Sequence, residues 1–159
     1  MSEQSTQLAI IGAGPGGYMA AFKAALLGLD VTLIDPEAAP GGVCLHRGCI
    51  PSKALLHVAK LTSEAAEAKA IGITFSKPKI DIDQVRDWKN GVIKKLTSGL
   101  AGKAEKLKVE TIRGVARFSE NQTLEIETAA GKKQQLQFEQ AIIATGSRPT
   151  LLPGVSTSE

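Results

Sequence analysis

Apolar positions along the chain change period more than once, and each change predicts a new kind of element. Residues 7–12, QLAIIG, form a short continuous apolar run ended by glycine, which predicts a buried strand. Residues 15–28 are rich in Ala and Leu, with Met19, Phe22 and Leu26 at helical spacing and Gly28 as a stop. Residues 30–35, DVTLID, are β-branched and apolar and are closed by Pro36, which predicts a second strand. Strand, helix, strand is a βαβ unit and implies a parallel sheet.

The Gly- and Pro-rich stretch 36–48 reads as loop. Pro51 then fits the first turn of a helix that continues through Ala54, Leu55, Val58 and Leu61 to about residue 70. A second long helical pattern runs from Asp83 to about Lys106, with Val85, Val92, Leu96 and Leu100 on one side, although Gly91, Gly99 and Gly102 weaken it. From Val109 the period falls to two. Alternating runs at 109–112, 115–118, 123–127 and 134–138, separated by turn signals at Gly114, Glu120-Asn121 and Ala130-Gly131, predict an antiparallel meander. Residues 141–144, AIIA, predict one more buried strand before Thr145-Gly146-Ser147, and 149–159 reads as a linker.

Length and composition narrow the class. At 159 residues, with 43% hydrophobic and 22% charged positions, the chain has the size and composition of one globular domain and leaves little room for a second. The longest apolar runs are strand-sized, well short of the ~20 residues of a membrane helix, and the start, MSEQSTQLAI, has neither the basic region nor the apolar core of a signal peptide. A cytoplasmic protein is expected. The net charge of +3 is uneven: residues 53–118 carry fourteen bases and seven acids, while both flanks are mildly acidic. That block holds only three aromatics, Phe75, Trp88 and Phe118, and its lysines are scattered, so it reads as a solvated helical face and not a nucleic-acid surface.

Two constellations carry chemistry. Gly12-Ala13-Gly14-Pro15-Gly16-Gly17 is a Gly-x-Gly-x-x-Gly loop between a predicted strand and helix. Gly12 suits the tight turn, Gly14 the close approach of backbone to a pyrophosphate, and Gly17 the packing of helix on strand, with the anion at the helix N-terminus. Asp35, at the end of the next strand, is placed to meet a ribose hydroxyl. The second constellation is Cys44-Leu45-His46-Arg47-Gly48-Cys49. Zinc needs about four ligands, usually with closer cysteine spacing, and only His46 and His57 are available besides these two thiols. A redox disulfide fits better. Residues five apart in an ideal helix are about 7.5 Å apart along the axis, so a bridge requires a break in the helix, which Gly48 permits. Two buried reduced thiols remain the alternative. Cys49 precedes Ile50-Pro51-Ser52-Lys53 and so lies near a helix N-terminus, where a thiolate is stabilised, with Lys53 one turn on.

The stretch Gly41 to His57, GGVCLHRGCIPSKALLH, closely resembles the redox-active segment of the flavin-dependent pyridine nucleotide disulfide reductases, and most of all their lipoamide branch. Ala144-Thr145-Gly146-Ser147-Arg148-Pro149 is similar to the family's segment at the end of its first FAD-binding portion, and the resemblance covers about residues 5–150. It implies an α/β, Rossmann-like FAD-binding domain with a central parallel sheet, flanking helices and a small antiparallel meander over residues 1–150. Residues 151–159 would be a linker stub toward a further, NAD-binding domain. The cofactor of the glycine loop would be FAD, held by Gly12, Gly14, Gly17, Asp35, Gly41, Gly42, Lys53, Gly114, Ala116, Thr145, Gly146 and Ser147. Cys44 would be the thiol that meets the dithiol substrate, Cys49 the thiol that faces the flavin, and Lys53 a tuning charge beside the flavin ring. In the intact enzyme NAD would be the final acceptor. The partners implied are lipoyl domains of 2-oxo acid dehydrogenase or glycine cleavage complexes and a second subunit in a homodimer, with no nucleic acid and no membrane. Glutathione and mercuric reductases share the two-cysteine plan, and a flavin-binding module without turnover is the non-enzymatic alternative. This chain has one dinucleotide loop, so by itself it is not expected to complete the NAD-linked reaction.

Two positions depart from the family pattern. The strand-end acid, often Glu, is Asp35, one methylene shorter. His46-Arg47 stand where apolar or amide residues are expected at one or both positions, and Arg47 either favours a nearby thiolate or points to solvent. His57, two helical turns past Cys49, reads as a packing residue.

Overall fold

A computed structural model describes residues 4–147 together with Thr150 and Gly154. The expectations for Arg148, Pro149 and most of the 151–159 linker fall outside the described residues. The elements follow in the order β1 (Gln4–Ile11), α1 (Pro15–Leu26), β2 (Val31–Asp35), α2 (Gly42–His46), α3 (Cys49–Glu67), a 3-10 turn (Ala68–Ile71), α4 (Ile82–Lys106), β3 (Glu110–Glu120), β4 (Thr123–Thr128) and β5 (Lys133–Ile143). β1 pairs in parallel with both β2 and β5, and β2 pairs in parallel with β3. β4 lies antiparallel between β3 and β5 and closes the sheet on itself. This is the expected α/β arrangement of parallel strands, flanking helices and antiparallel meander.

The meander is continuous with the parallel sheet. The runs expected at 109–112 and 115–118 are one strand, β3, whose residues 110–113 pair with β2 and whose residues 114–120 pair with β4. Likewise β5 absorbs the runs at 134–138 and 141–144, pairing first with β4 and then with β1. Gly114 is therefore not a turn. A Cβ there would lie 2.6 Å from the Glu127 carbonyl oxygen and 2.9 Å from Ile126 Cγ2, so glycine lets β3 run close beneath β4.

Alternation along β1 and β2 sorts two cores, because successive side chains in a strand point to opposite faces. Leu8, Ile10, Val31 and Leu33 face out and pack under α1 and α4, with Phe22 and Ala104. Ala9, Ile11 and Ile34 face into the closed sheet and meet Leu124, Ile126, Leu136 and Phe138 from the meander. Of the three helically spaced side chains in α1 only Phe22 is buried, together with Gly17, Ala21 and Ala24, whereas Met19 and Leu26 are 57% and 65% exposed. Small residues let this helix lie close on β1, which leaves the long side chains outside. Helix α4 keeps its glycines; Asp81 caps its start by accepting from the Asp83 and Gln84 N–H groups, and Thr97 and Ala104 are buried. Helix α3 buries only Ala54, and the His57 ring lies 6.0 Å from Trp88 of α4, so His57 packs helix on helix at the surface.

Candidate functional site

Three loops converge beyond the carboxyl ends of parallel strands, the edge at which open α/β sheets bind ligands. They are Gly12–Gly17 after β1, the stretch 36–48 after β2, which reads as loop in the sequence but carries helix α2 at Gly42–His46, and residues 144–147 after β5. The glycine loop is built as its spacing predicts. Gly12 has φ +102°, and a Cβ on it would sit 2.3 Å from the Ala144 carbonyl oxygen, so the loop after β5 crosses directly over it. A Cβ on Gly17 would meet the Gly12 carbonyl oxygen at 1.7 Å, which fixes helix α1 against the turn. Gly14 differs. The nearest atom to a Cβ there is 4.0 Å away, so protein packing does not demand glycine, and the space is available to a ligand. Pro15 opens α1, and its first turn contains no acidic residue and no side-chain cap, so the amino end presents N–H groups to an anion.

Asp35 ends β2 and turns back onto this loop. Its Oδ2 accepts the Ala13 N–H at 2.6 Å and its Oδ1 accepts the Glu37 N–H at 2.8 Å. Each carboxylate oxygen can accept more than one bond, so the group shapes the loop and retains acceptor capacity. Beside it opens a cleft of about 290 Å³, lined among others by Ala13, Asp35, Glu37, Pro40 and Arg113, with α4 forming the far wall. Gly114 and Ala116 do not line this cleft. Gly114 is accounted for by the approach of β4, and Ala116 packs against the inner core. Thr145, Gly146 and Ser147 are exposed at the same edge, and the Ala144 N–H donates to the Ile11 carbonyl at 2.8 Å.

The cysteines are joined. Cys44 in α2 and Cys49 at the start of α3 form a disulfide with Cα atoms 4.7 Å apart. The helix breaks between them at Arg47 and Gly48, as the bridge requires. A Cβ on Gly48 would press on the Val43 carbonyl oxygen at 3.1 Å, so glycine allows the two helices to meet this closely. Cys44 is half-buried, Cys49 is exposed, and Lys53 is exposed four residues later on the same side of α3. The disulfide segment is held against the glycine loop by its own backbone. The Gly41 N–H donates to the Ala13 carbonyl at 2.8 Å, and Gly42, with φ +59°, has no room for a Cβ, which would lie 2.6 Å from Gly14 Cα. Gly41, Gly42 and Gly14 thus join the disulfide segment to the glycine loop.

The sequence pattern of a pyridine nucleotide-disulphide oxidoreductase matches residues 6–159. The chain belongs to this family. Relatives in the family include the dihydrolipoyl dehydrogenases of Haemophilus influenzae and Vibrio cholerae, each 50% identical over 151 residues, 95% of this chain and 32% of the relative. The dihydrolipoyl dehydrogenase of Buchnera aphidicola subsp. Schizaphis graminum is 44% identical over 159 residues, 99% of this chain and 33% of its own length. This member therefore spans about a third of the length of the curated relatives it matches. Among its described residues no helix is long and apolar enough to cross a membrane.

Some of the site was not anticipated. Glu37 pairs with Arg47 at 2.7 Å, His46 Nε2 lies 3.1 Å from the Ala39 carbonyl oxygen, and Arg113 Nε donates to the Pro36 carbonyl at 3.1 Å. Arg47 thus points to solvent, as one of the two readings expects, with its side chain 62% exposed and its charge paired to Glu37. The only sequence signal was one acid and one base in a single Gly/Pro-rich loop, which periodicity cannot pair.

Proposed function

We infer that the chain is the first part of the FAD-binding domain, over residues 1–150, of a dihydrolipoamide dehydrogenase. In the intact protein it would oxidise lipoyl groups through Cys44 and Cys49 and pass the electrons by way of FAD to NAD. The observation that supports this reading most is the backbone contact of Gly42, at the head of the disulfide helix, with Gly14, which sets the bridge beside the glycine loop. Gly12, Gly14 and Gly17 would hold the pyrophosphate at the head of α1, Asp35 the ribose, and Gly41, Gly42 and residues 145–147 the rest of the cofactor. Gly114 and Ala116 would act through the backbone of β3. FAD, when bound, supplies a two-electron acceptor that thiols lack.

The chain's own residues perform the exchange. One thiolate of the substrate attacks the Cys44 sulfur, the S–S bond breaks, and Cys49 leaves as a thiolate, favoured by its place in the first turn of α3 and by Lys53. The second substrate thiol then attacks the mixed disulfide, forming the cyclic substrate disulfide and releasing Cys44. The substrate has lost two electrons and the cysteine pair has gained them. The lipoyl domains of 2-oxo acid dehydrogenase or glycine cleavage complexes would present this substrate, to a homodimer in the intact enzyme.

The test is to titrate the chain with FAD while following visible absorbance, and then to add dihydrolipoamide under exclusion of air. FAD should bind, Gly17→Ala should abolish binding, and dihydrolipoamide should open the disulfide in preference to glutathione. A chain that binds FAD but whose bridge ignores dihydrolipoamide overturns the enzymatic reading and leaves an inert flavin module; preference for glutathione overturns the lipoamide assignment. NADH-linked turnover is not expected of this chain alone.

A further inference from the structure

Between the two cysteines the chain makes a pair of contacts to the stretch after β2. Arg47 forms its ion pair with Glu37 at 2.7 Å, and His46 Nε2 donates to the Ala39 carbonyl at 3.1 Å. Both reach the same short stretch after β2. That stretch is anchored independently, by the Glu37 N–H on Asp35 and by Arg113 on the Pro36 carbonyl. Helix α2, which carries Cys44, has only five residues, far too few to hold its own shape. Its start is tied by the Gly41 N–H to Ala13 and by buried Leu45. Its end, next to the break before Cys49, carries the Arg47 N–H bond to the Val43 carbonyl at 2.9 Å, and it is tied to the stretch after β2 by these two contacts besides the disulfide.

We propose that the Glu37–Arg47 ion pair and the His46–Ala39 hydrogen bond form a latch that keeps α2, and with it Cys44, opposite Cys49 when the disulfide is open. His46 and Arg47 are positioning residues, and Glu37 is their anchor. An open pair of thiols recloses more favourably when its loop has little freedom left to lose. The latch therefore raises the effective concentration of one cysteine at the other. The inference needs only the Cys44–Cys49 bridge and is independent of whether FAD binds.

The experiment equilibrates the chain, without flavin, in mixtures of reduced and oxidised dithiothreitol at neutral pH. One reduced dithiothreitol gives two electrons and two protons to the bridge, leaving two protein thiols and the cyclic dithiothreitol disulfide, and the open fraction is read by mass after alkylation. Arg47→Gln and Glu37→Gln should each shift the equilibrium toward the dithiol by about two- to fivefold, the range of a partly exposed ion pair. His46→Ala should shift it the same way. The charge swap Glu37→Arg with Arg47→Glu should return it toward the parent value, and supplies a folded comparison should a single variant be poorly folded. A direct action of the Arg47 charge on a thiolate gives a different pattern. Losing the cation would then disfavour the dithiol while releasing it from Glu37 would favour it, so the two glutamine variants would move in opposite directions. That result overturns the latch, as does the absence of a shift in both.

Discussion

Thr32 on β2 is 1% exposed, and its hydroxyl is the one buried side-chain oxygen among the described residues without a hydrogen-bond partner. A buried hydroxyl stripped of water and left unpaired is a cost, and a methyl group of similar shape does not incur it. Thr32→Val should therefore stabilise the fold by about 1 kcal/mol, seen as a higher urea midpoint with an unchanged slope. A lower midpoint would show that the hydroxyl is bonded to a trapped water. Asp35 is the opposite case, a polar group with two backbone N–H partners whose length matters. The shorter side chain, read from the sequence as a departure from the family's Glu, is the one that takes the Ala13 N–H at 2.6 Å. Its role in shaping the glycine loop was not legible, since nothing in a one-dimensional pattern separates an acid that meets a ligand from one that meets its own backbone.

Helices and strands bounded by strong punctuation were read correctly from the chain. Gly12 and Pro15 bracket the turn after β1, Gly28 ends α1, Pro36 closes β2, and Pro51 lies in the first turn of α3. Elements defined by distant partners were not. β5 pairs with β1 across more than 120 positions, as in Ser5 with Gln137, and no local signal states that pairing. Gly114 was misread for the same reason, because its small size answers β4 and not its sequence neighbours. The glycines of α4 show the reverse. Gly91 and Gly99 weaken the helical pattern in the sequence, yet the helix forms, and a Cβ at either would meet nothing within 4 Å. Helix-interior glycine costs about 0.5–1 kcal/mol relative to alanine. Gly91→Ala and Gly99→Ala should each recover about that much in thermal unfolding, and the two gains should add, since they lie about 12 Å apart along the axis.

The surface of the whole molecule is uneven. Leu56, Ile71, Phe75, Ile80 and Ile82, on and between α3 and α4, are all more than 60% exposed, whereas the strands beneath α1 are almost dry. Large apolar side chains exposed along one stretch of the chain favour association where they form a patch, and the chain has about a third of the length of its matched relatives. Sedimentation velocity at rising concentration should show reversible self-association, which Leu56→Glu and Ile71→Glu each weaken. An unchanged monomer at all concentrations would show that these side chains are too scattered to act together. The form that association takes is limited by the way β3 and β5 close the sheet. Closure gives every strand two neighbours, but β3 and β5 meet theirs along different parts of their length, so among the described residues it shortens the rows of strand N–H and C=O groups that another chain could extend. Copies of this protein that stick together should therefore do so mainly through side chains, in assemblies that dilution disperses.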